Sequence, residues 1–170
     1  GYVTKVGTKE FEKPNGDKYT SNYAGLVQAD GTYTELATKR LYDTYNSSIV
    51  KSTIADGVAS LSLLTKTPIT GKFDASNNML GTTKVSPSCE FIDVINTEPN
   101  DAAGYIKVYK SRLDGVNFTS KSVLYYTKNS SGEIDSMFLN NVTKDGLKYG
   151  VVTSAKGNSY TLKCGTESYT

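Results

Sequence analysis

The chain reads as an all-β protein, a small barrel or sandwich of short antiparallel strands with one short helix near residues 38–47. Three observations carry that expectation. Apolar-alternating runs recur between turn signals about every 8 to 12 residues, the spacing of barrels and sandwiches. Val, Ile, Leu and Tyr dominate the apolar fraction, with abundant Thr and Ser, a mix suited to half-buried pleated surfaces. Two turn sequences, Asp30-Gly31 and Asn129-Ser130-Ser131-Gly132, sit between such runs and signal hairpins.

Element by element, Tyr2-Val3-Thr4-Lys5-Val6 alternates, and Lys13-Pro14-Asn15-Gly16-Asp17 is a turn in which Pro presets φ and Asn-Gly accepts positive φ. Residues 24–29 and 32–36 flank Asp30-Gly31 as a hairpin. Leu41, Tyr42 and Tyr45 are spaced for one helix face, and Asn46-Ser47-Ser48 would end it. Asp56-Gly57 introduces a strand over Val58–Leu64. Residues 68–85 are loop with short extended pieces, punctuated by Gly71, Asn77-Asn78 and Gly81. Cys89–Ile95 reads as a core strand and residues 96–104 as the best break in the chain. Tyr105–Tyr109 resumes strand character. Val123–Thr127 should pair antiparallel with Ile134–Leu139, with Gly132 at positive φ. Residues 146–153 and Ser159–Cys164 are further strands. The break at 96 divides the chain into residues 1–96 and 97–170, as two subdomains or as one shared core.

Composition excludes several function classes. Histidine is absent, which removes Ser-His-Asp and Cys-His dyads, His-bearing zinc sites and the usual near-neutral general base. Nineteen basic and seventeen acidic residues give a net charge of +2, spread without blocks, so no nucleic-acid stripe is present. No apolar run approaches the ~20 residues of a membrane helix. Phosphate-cradling glycine motifs are missing. No cofactor is expected, and the reading is non-enzymatic.

The remaining candidates each have an ordinary alternative. Glu133 and Asp135 share a strand face and could act as paired carboxylates, although a position beside a turn suits a solvated edge. Glu90, Asp93 and Asn100-Asp101 suggest a cation loop but lack the calcium-loop pattern, and Asp74–Asn78 lacks the ligand count. Cys89 and Cys164 either pair, closing a long loop for ~4 kcal/mol, or remain two thiols acting as small apolar groups. Sequons stand at Asn46, Asn117, Asn129 and Asn141. Among 13 tyrosines, Tyr42, Tyr45, Tyr125 and Tyr126 are candidates for ligand contact by stacking. Alternation sends Tyr125 and Tyr126 to opposite faces, so packing is the plainer reading.

Gly1-Tyr2-Val3-Thr4 is echoed by Gly150-Val151-Val152-Thr153, as if the chain ran from one unit boundary into the next. On that expectation Val3 and Val152 point into apolar cores, and the chain is part of a longer modular protein. The C-terminal half resembles a recurrent segment of bacterial surface proteins that carry S-layer homology anchors. The matching residues are Val123–Thr127, Ser131–Ile134, Met137–Leu139, Asn141–Thr143 and Lys148–Thr153. Cys89–Val94 is similar to the preceding core strand of that unit, and Gly57–Leu64 to a worn copy of its hairpin. The resemblance implies an extracellular β-rich module at the cell surface or cell wall, with a structural or spacer role. Its implied partners are neighbouring modules of the same polypeptide and cell-wall glycan or other surface proteins, and it supplies no functional residues.

Overall fold

The computed structural model describes residues 1–65, 68–95, 104–145, 150–165 and 167–169. The first sheet is built from β1 (Tyr2–Glu12), β2 (Lys18–Val27), β3 (Tyr33–Thr38), β4 (Val50–Ala55) and β5 (Val58–Leu63). Its order is β1-β2-β3-β5-β4, with β3 parallel to β5 and the other pairs antiparallel. Residues 47–50 close the ring against the start of β1: Ser47 N–H donates to Val3 O, Val3 N–H to Ser48 O, and Val50 N–H to Gly1 O, each at 2.9 Å. The result is a five-stranded barrel with the connectivity of an OB-type Greek-key barrel.

Local sequence explains the hairpins. The Asp30-Gly31 turn joins β2 to β3 as expected, and Asp56-Gly57, both at positive φ, joins β4 to β5 in the two-residue loop that matches strand twist. Inside the barrel lie Val3, Ala24, Leu26, Tyr42, Val50, Ala59 and Leu61. The helix expected near residues 38–47 is not formed. A single 3-10 turn, Asp43–Tyr45, stands there, because Tyr42 alone inserts into the barrel while Leu41 stays exposed, leaving no continuous apolar stripe to sustain further turns.

The second sheet contains β6 (Gly71–Asp74), β7 (Met79–Leu80), β8 (Thr83–Val94), β9 (Tyr105–Val108), β10 (Asn117–Phe118), β11 (Val123–Lys128) and β12 (Ile134–Asn140). It is ordered β10-β6-β7-β8-β12-β11, with β9 on the other side of β8. The hairpin of β11 and β12 pairs antiparallel as the sequence indicates, and Gly132 has φ 79°. β8 is a long central strand, and its pairing with β12 is parallel. The register jumps between Ile134↔Val85 and Ser136↔Glu90, where Pro87 has no N–H to give the ladder. A break at 96/97 falls within this sheet, since β8 precedes it and β9, β11 and β12 follow; most of the break segment, residues 96–103, lies outside the described residues.

Both faces of the β8–β12 pair are buried. Phe91, Met137 and Leu139 face one core with Phe73, Leu80, Leu113 and Phe118. Ile92, Val94 and Phe138 face the barrel, meeting Tyr2, Val27 and Ile49. Burial on two faces is why these strands read as continuous apolar runs without alternation.

The third sheet is β13 (Val151–Lys156), β14 (Ser159–Cys164) and β15 (Glu167–Tyr169). It pairs with neither of the others. The inward orientation expected for Val152 is not found: Val3 is fully buried but Val152 is 54% exposed, as is every residue of β13 to a comparable class. Among the described residues no apolar layer covers that strand, so the echo at residues 1–4 and 150–153 is not an equivalence of position. Deleting residues from Val151 onward should therefore leave the urea midpoint of the remainder unchanged. A fall in midpoint would mean that β13 closes the main core. Among the described residues no helix is long and apolar enough to cross a membrane.

Candidate functional site

The four tyrosines singled out in the sequence do not come together. Tyr42 is buried inside the barrel, where its hydroxyl accepts the Leu61 N–H at 3.0 Å, and Tyr45 packs on it with ring centroids 5.0 Å apart. Tyr125 packs against the layer between barrel and second sheet, and Tyr126 against the other core. Adjacent residues on a strand point oppositely, as alternation requires.

A different aromatic set shares one surface. The Lys13–Asp17 turn joins two strands of 11 and 10 residues, longer than β3, whose pairing stops at Thr38↔Asn22. Val6, Ala24 and Leu36 face the barrel interior. Period two then sends Lys5, Gly7, Lys9 and Phe11 of β1 to the outer face, with Tyr19, Ser21, Tyr23 and Gly25 of β2 and Tyr33 and Glu35 of β3. Two glycines make room for rings to lie on the sheet. A Cβ on Gly7 would come within 3.1 Å of the Tyr23 ring, and one on Gly25 would collide with the ring of Tyr33. Phe11 and Tyr19, directly opposite in register, stack with centroids 5.7 Å apart at 26°.

Charge is interleaved with the rings. The Lys9 ammonium lies 4.7 Å from the Phe11 centroid and 5.4 Å from that of Tyr23, and Lys13 lies 5.8 Å from Tyr19, all within cation–π range. Lys9 also pairs with Glu35. That hydrogen bond, ahead of the Tyr33 bond and the charges of Lys9 and Lys5, holds the Glu35 carboxyl below its ordinary range despite partial burial. Tyr33 donates its hydroxyl to Glu35 at 2.9 Å. Burial, then the Glu35 bond and its charge, pushes the Tyr33 phenol up to about 12. At neutral pH the face therefore offers an ionised acceptor between cations, flanked by ring surfaces.

The sequence carried half of this signal. The steps Gly7-Thr8-Lys9-Glu10-Phe11 and Tyr19-Thr20-Ser21-Asn22-Tyr23 have a legible period of two. Which glycine lies under which ring depends on cross-strand register, and that is fixed only by the turns and the bulge between Val3 and Lys5.

The other candidates have structural employment. Asp93 is fully buried and accepts the N–H groups of Val142 and Thr143 and the Thr143 hydroxyl at 2.7–3.0 Å. Asp135 bonds the Thr127 hydroxyl across the hairpin, and Glu90 pairs with Lys107 at 2.7 Å. Beside a cleft of about 820 Å³ at β6 and β7, Asp74 accepts from the Asn77 backbone and amide, and Asp114 from the Ala75 N–H. Among the described residues no three His, Cys, Asp or Glu side chains form a metal-sized group; Asn100-Asp101 lie outside them. Cys89 and Cys164 are separate thiols, and burial, followed by the charges of Asp135 and Glu90, pushes the Cys89 thiol up to about 12. Of the sequon asparagines, Asn117 is exposed on β10, whereas Asn129 uses its side-chain oxygen to cap the Ser131 and Glu133 N–H groups.

Comparison with protein-family models, with curated proteins and with solved structures returned no match.

Proposed function

We propose that this chain is a non-enzymatic β-module of a bacterial cell-surface protein, a stiff spacer that also presents a ligand-binding face. The observation that carries the reading is the barrel's outer face, with rings seated over Gly7 and Gly25 and a Lys9–Glu35 pair between them. Barrels of this connectivity use the outer face around β2 and β3 and the adjoining loops to bind oligosaccharides or oligonucleotides; that is fold analogy, and the residues on the face give it chemical content here. The spacer half of the reading is supported by the shared apolar layer of Tyr2, Val27, Ile49, Ile92, Val94 and Phe138, which couples barrel and second sheet. Carboxylates such as Asp93, Asp74 and Asp114 hold turns, a use that favours rigidity over turnover.

Antibody raised against the chain should label intact cells of the source organism; labelling only after lysis would overturn the surface assignment. Esterase, protease, phosphatase and glycosidase substrates should give background rates. Turnover abolished by a single Asp→Ala or Ser→Ala change would overturn the non-enzymatic assignment.

A further inference from the structure

We infer that the outer face of β1, β2 and β3 binds an acidic polysaccharide, laid along the strip from Tyr33 to Lys13. The inference rests on reading this face as a binding surface and adds the chemical class of the ligand. The open strip runs from the level of Gly25, where the Tyr33 ring lies, to that of Tyr19 on β2. At a strand rise of about 3.3 Å per residue that is roughly 20 Å, room for an extended polymer segment.

Three features select the class. First, the Tyr33 ring lies against the sheet over Gly25 and the Phe11–Tyr19 stack continues the surface, while Tyr23, buried over Gly7, is the floor between them. A sugar ring's C–H face, with its slight positive polarity, fits the negative face of such an aromatic ring. Second, Glu35 sits among the rings as an ionised acceptor, suited to sugar hydroxyl donors. Single-stranded DNA also stacks on aromatic side chains, but its sugar–phosphate backbone offers no hydroxyl to that acceptor. Third, three lysines (Lys5, Lys9 and Lys13) stand with two carboxylates, Glu35 and Asp17, the latter opposite Lys13 across the turn and bonded by the Asn15 amide. Lys9 is committed to Glu35, which leaves Lys5 and Lys13 to pair with acidic substituents on the polymer. A neutral glycan would leave both unused.

The face is also free of the second sheet where the stack stands. The apolar layer joining the two sheets uses Tyr2, Val27 and Ile49, at the opposite end of β1 and β2 from Phe11 and Tyr19.

The test is affinity electrophoresis and titration calorimetry of the intact chain against polygalacturonate, dextran and single-stranded oligo-dT. Polygalacturonate should bind, more weakly as salt rises because the lysine pairs are screened, while dextran and oligo-dT should not. The double substitution Phe11→Ala/Tyr19→Ala and the single substitution Lys13→Glu should each lower affinity at least tenfold. Lys18→Glu, the same change of charge on the inward-facing side of the hairpin, should leave affinity within about twofold, with thermal melts confirming that each variant folds. Binding of dextran or oligo-dT, lost in Phe11→Ala/Tyr19→Ala, would overturn the acidic-glycan class and leave the binding face standing. Absence of binding to all three polymers, or polygalacturonate binding equally weakened by Lys18→Glu and Lys13→Glu, would overturn the face as a site.

Discussion

Replacing Asp93 with alanine should destabilise the protein by about 3 to 4 kcal/mol. Its carboxylate has no exposed surface and receives three hydrogen bonds, two from backbone N–H groups of Val142 and Thr143 and one from the Thr143 hydroxyl. Hydrogen bonds to a charged group contribute ~1.5–3 kcal/mol each, and donors left buried without a partner cost more than the bond gained. The consequence is local as well as global. Asp93 ties the turn after β12 to the C-terminal end of β8, in a corner where Asn141 and Lys144 both carry positive φ and Asn141 N–H also donates to Val94 O. Without the carboxylate that corner loses the contact that offsets its backbone strain. Asp93→Asn should fall between wild type and alanine, since it keeps one acceptor oxygen but turns an NH₂ group toward backbone donors. Urea unfolding monitored by far-UV circular dichroism checks both. A loss below about 1 kcal/mol for the alanine variant would show that water replaces the carboxylate and that the corner is not held by it.

The same corner illustrates what the sequence discloses and what it withholds. The strand Cys89–Ile95 is legible from its apolar run, yet the acid in its middle reads from sequence as a flanking charge with a cation-loop alternative. Its partners are about fifty residues away, in a turn with no signature of its own, so the role of Asp93 emerges only once β8 and β12 are neighbours. Hairpins are legible for the opposite reason: at Asp30-Gly31 and Asn129–Gly132 the turn chemistry and both strands fall within about fifteen residues, whereas at Asp56-Gly57 only the strand after the turn reads from sequence and its partner β4 does not. The parallel contacts, β3 with β5 and β8 with β12, and the closure of the barrel through residues 47–50 join distant segments with no local marker. The tyrosines follow the same division. Tyr42 and Tyr45 attract notice by spacing, which is also the spacing of packing residues, and packing is where they are. Phe11, Tyr19, Tyr23 and Tyr33 escape notice because they are brought together by register across three strands.

Phe73→Ala should cost about 4 to 5 kcal/mol, the largest loss for a single aromatic in the second core. Truncating a buried Phe removes its transfer energy and leaves a cavity, ~3–5 kcal/mol together. Phe73 sits at the meeting of two ring pairs: it is edge-on to Phe91 with centroids 5.5 Å apart at 83°, and stacked on Phe118 at 6.2 Å and 21°. Such pairs add ~0.5–1.5 kcal/mol beyond area burial, so the substitution should sit at the top of the range. The geometry also specifies where collapse is blocked. Phe73 lies on β6, which is joined to β10 on one side and to two-residue β7 on the other, and its backbone N–H and C=O are engaged by Val116 and Gly115 at 2.8–2.9 Å. The limb cannot easily move inward to fill the void. A double-mutant cycle of Phe73→Ala with Phe91→Leu should give a coupling of about 1 kcal/mol, whereas Phe73→Ala with Leu61→Ala, across the barrel, should be additive. Both statements concern one cooperative unit, because Ile92, Val94 and Phe138 bury the other face of the same β8–β12 pair against the barrel. Weakening the second core should therefore lower the melting of the barrel tyrosines by the same amount, seen as coincident fluorescence and circular dichroism transitions. Two separated transitions, with the barrel melting unchanged, would mean that the shared layer does not couple the sheets and that the module is two units joined by contact.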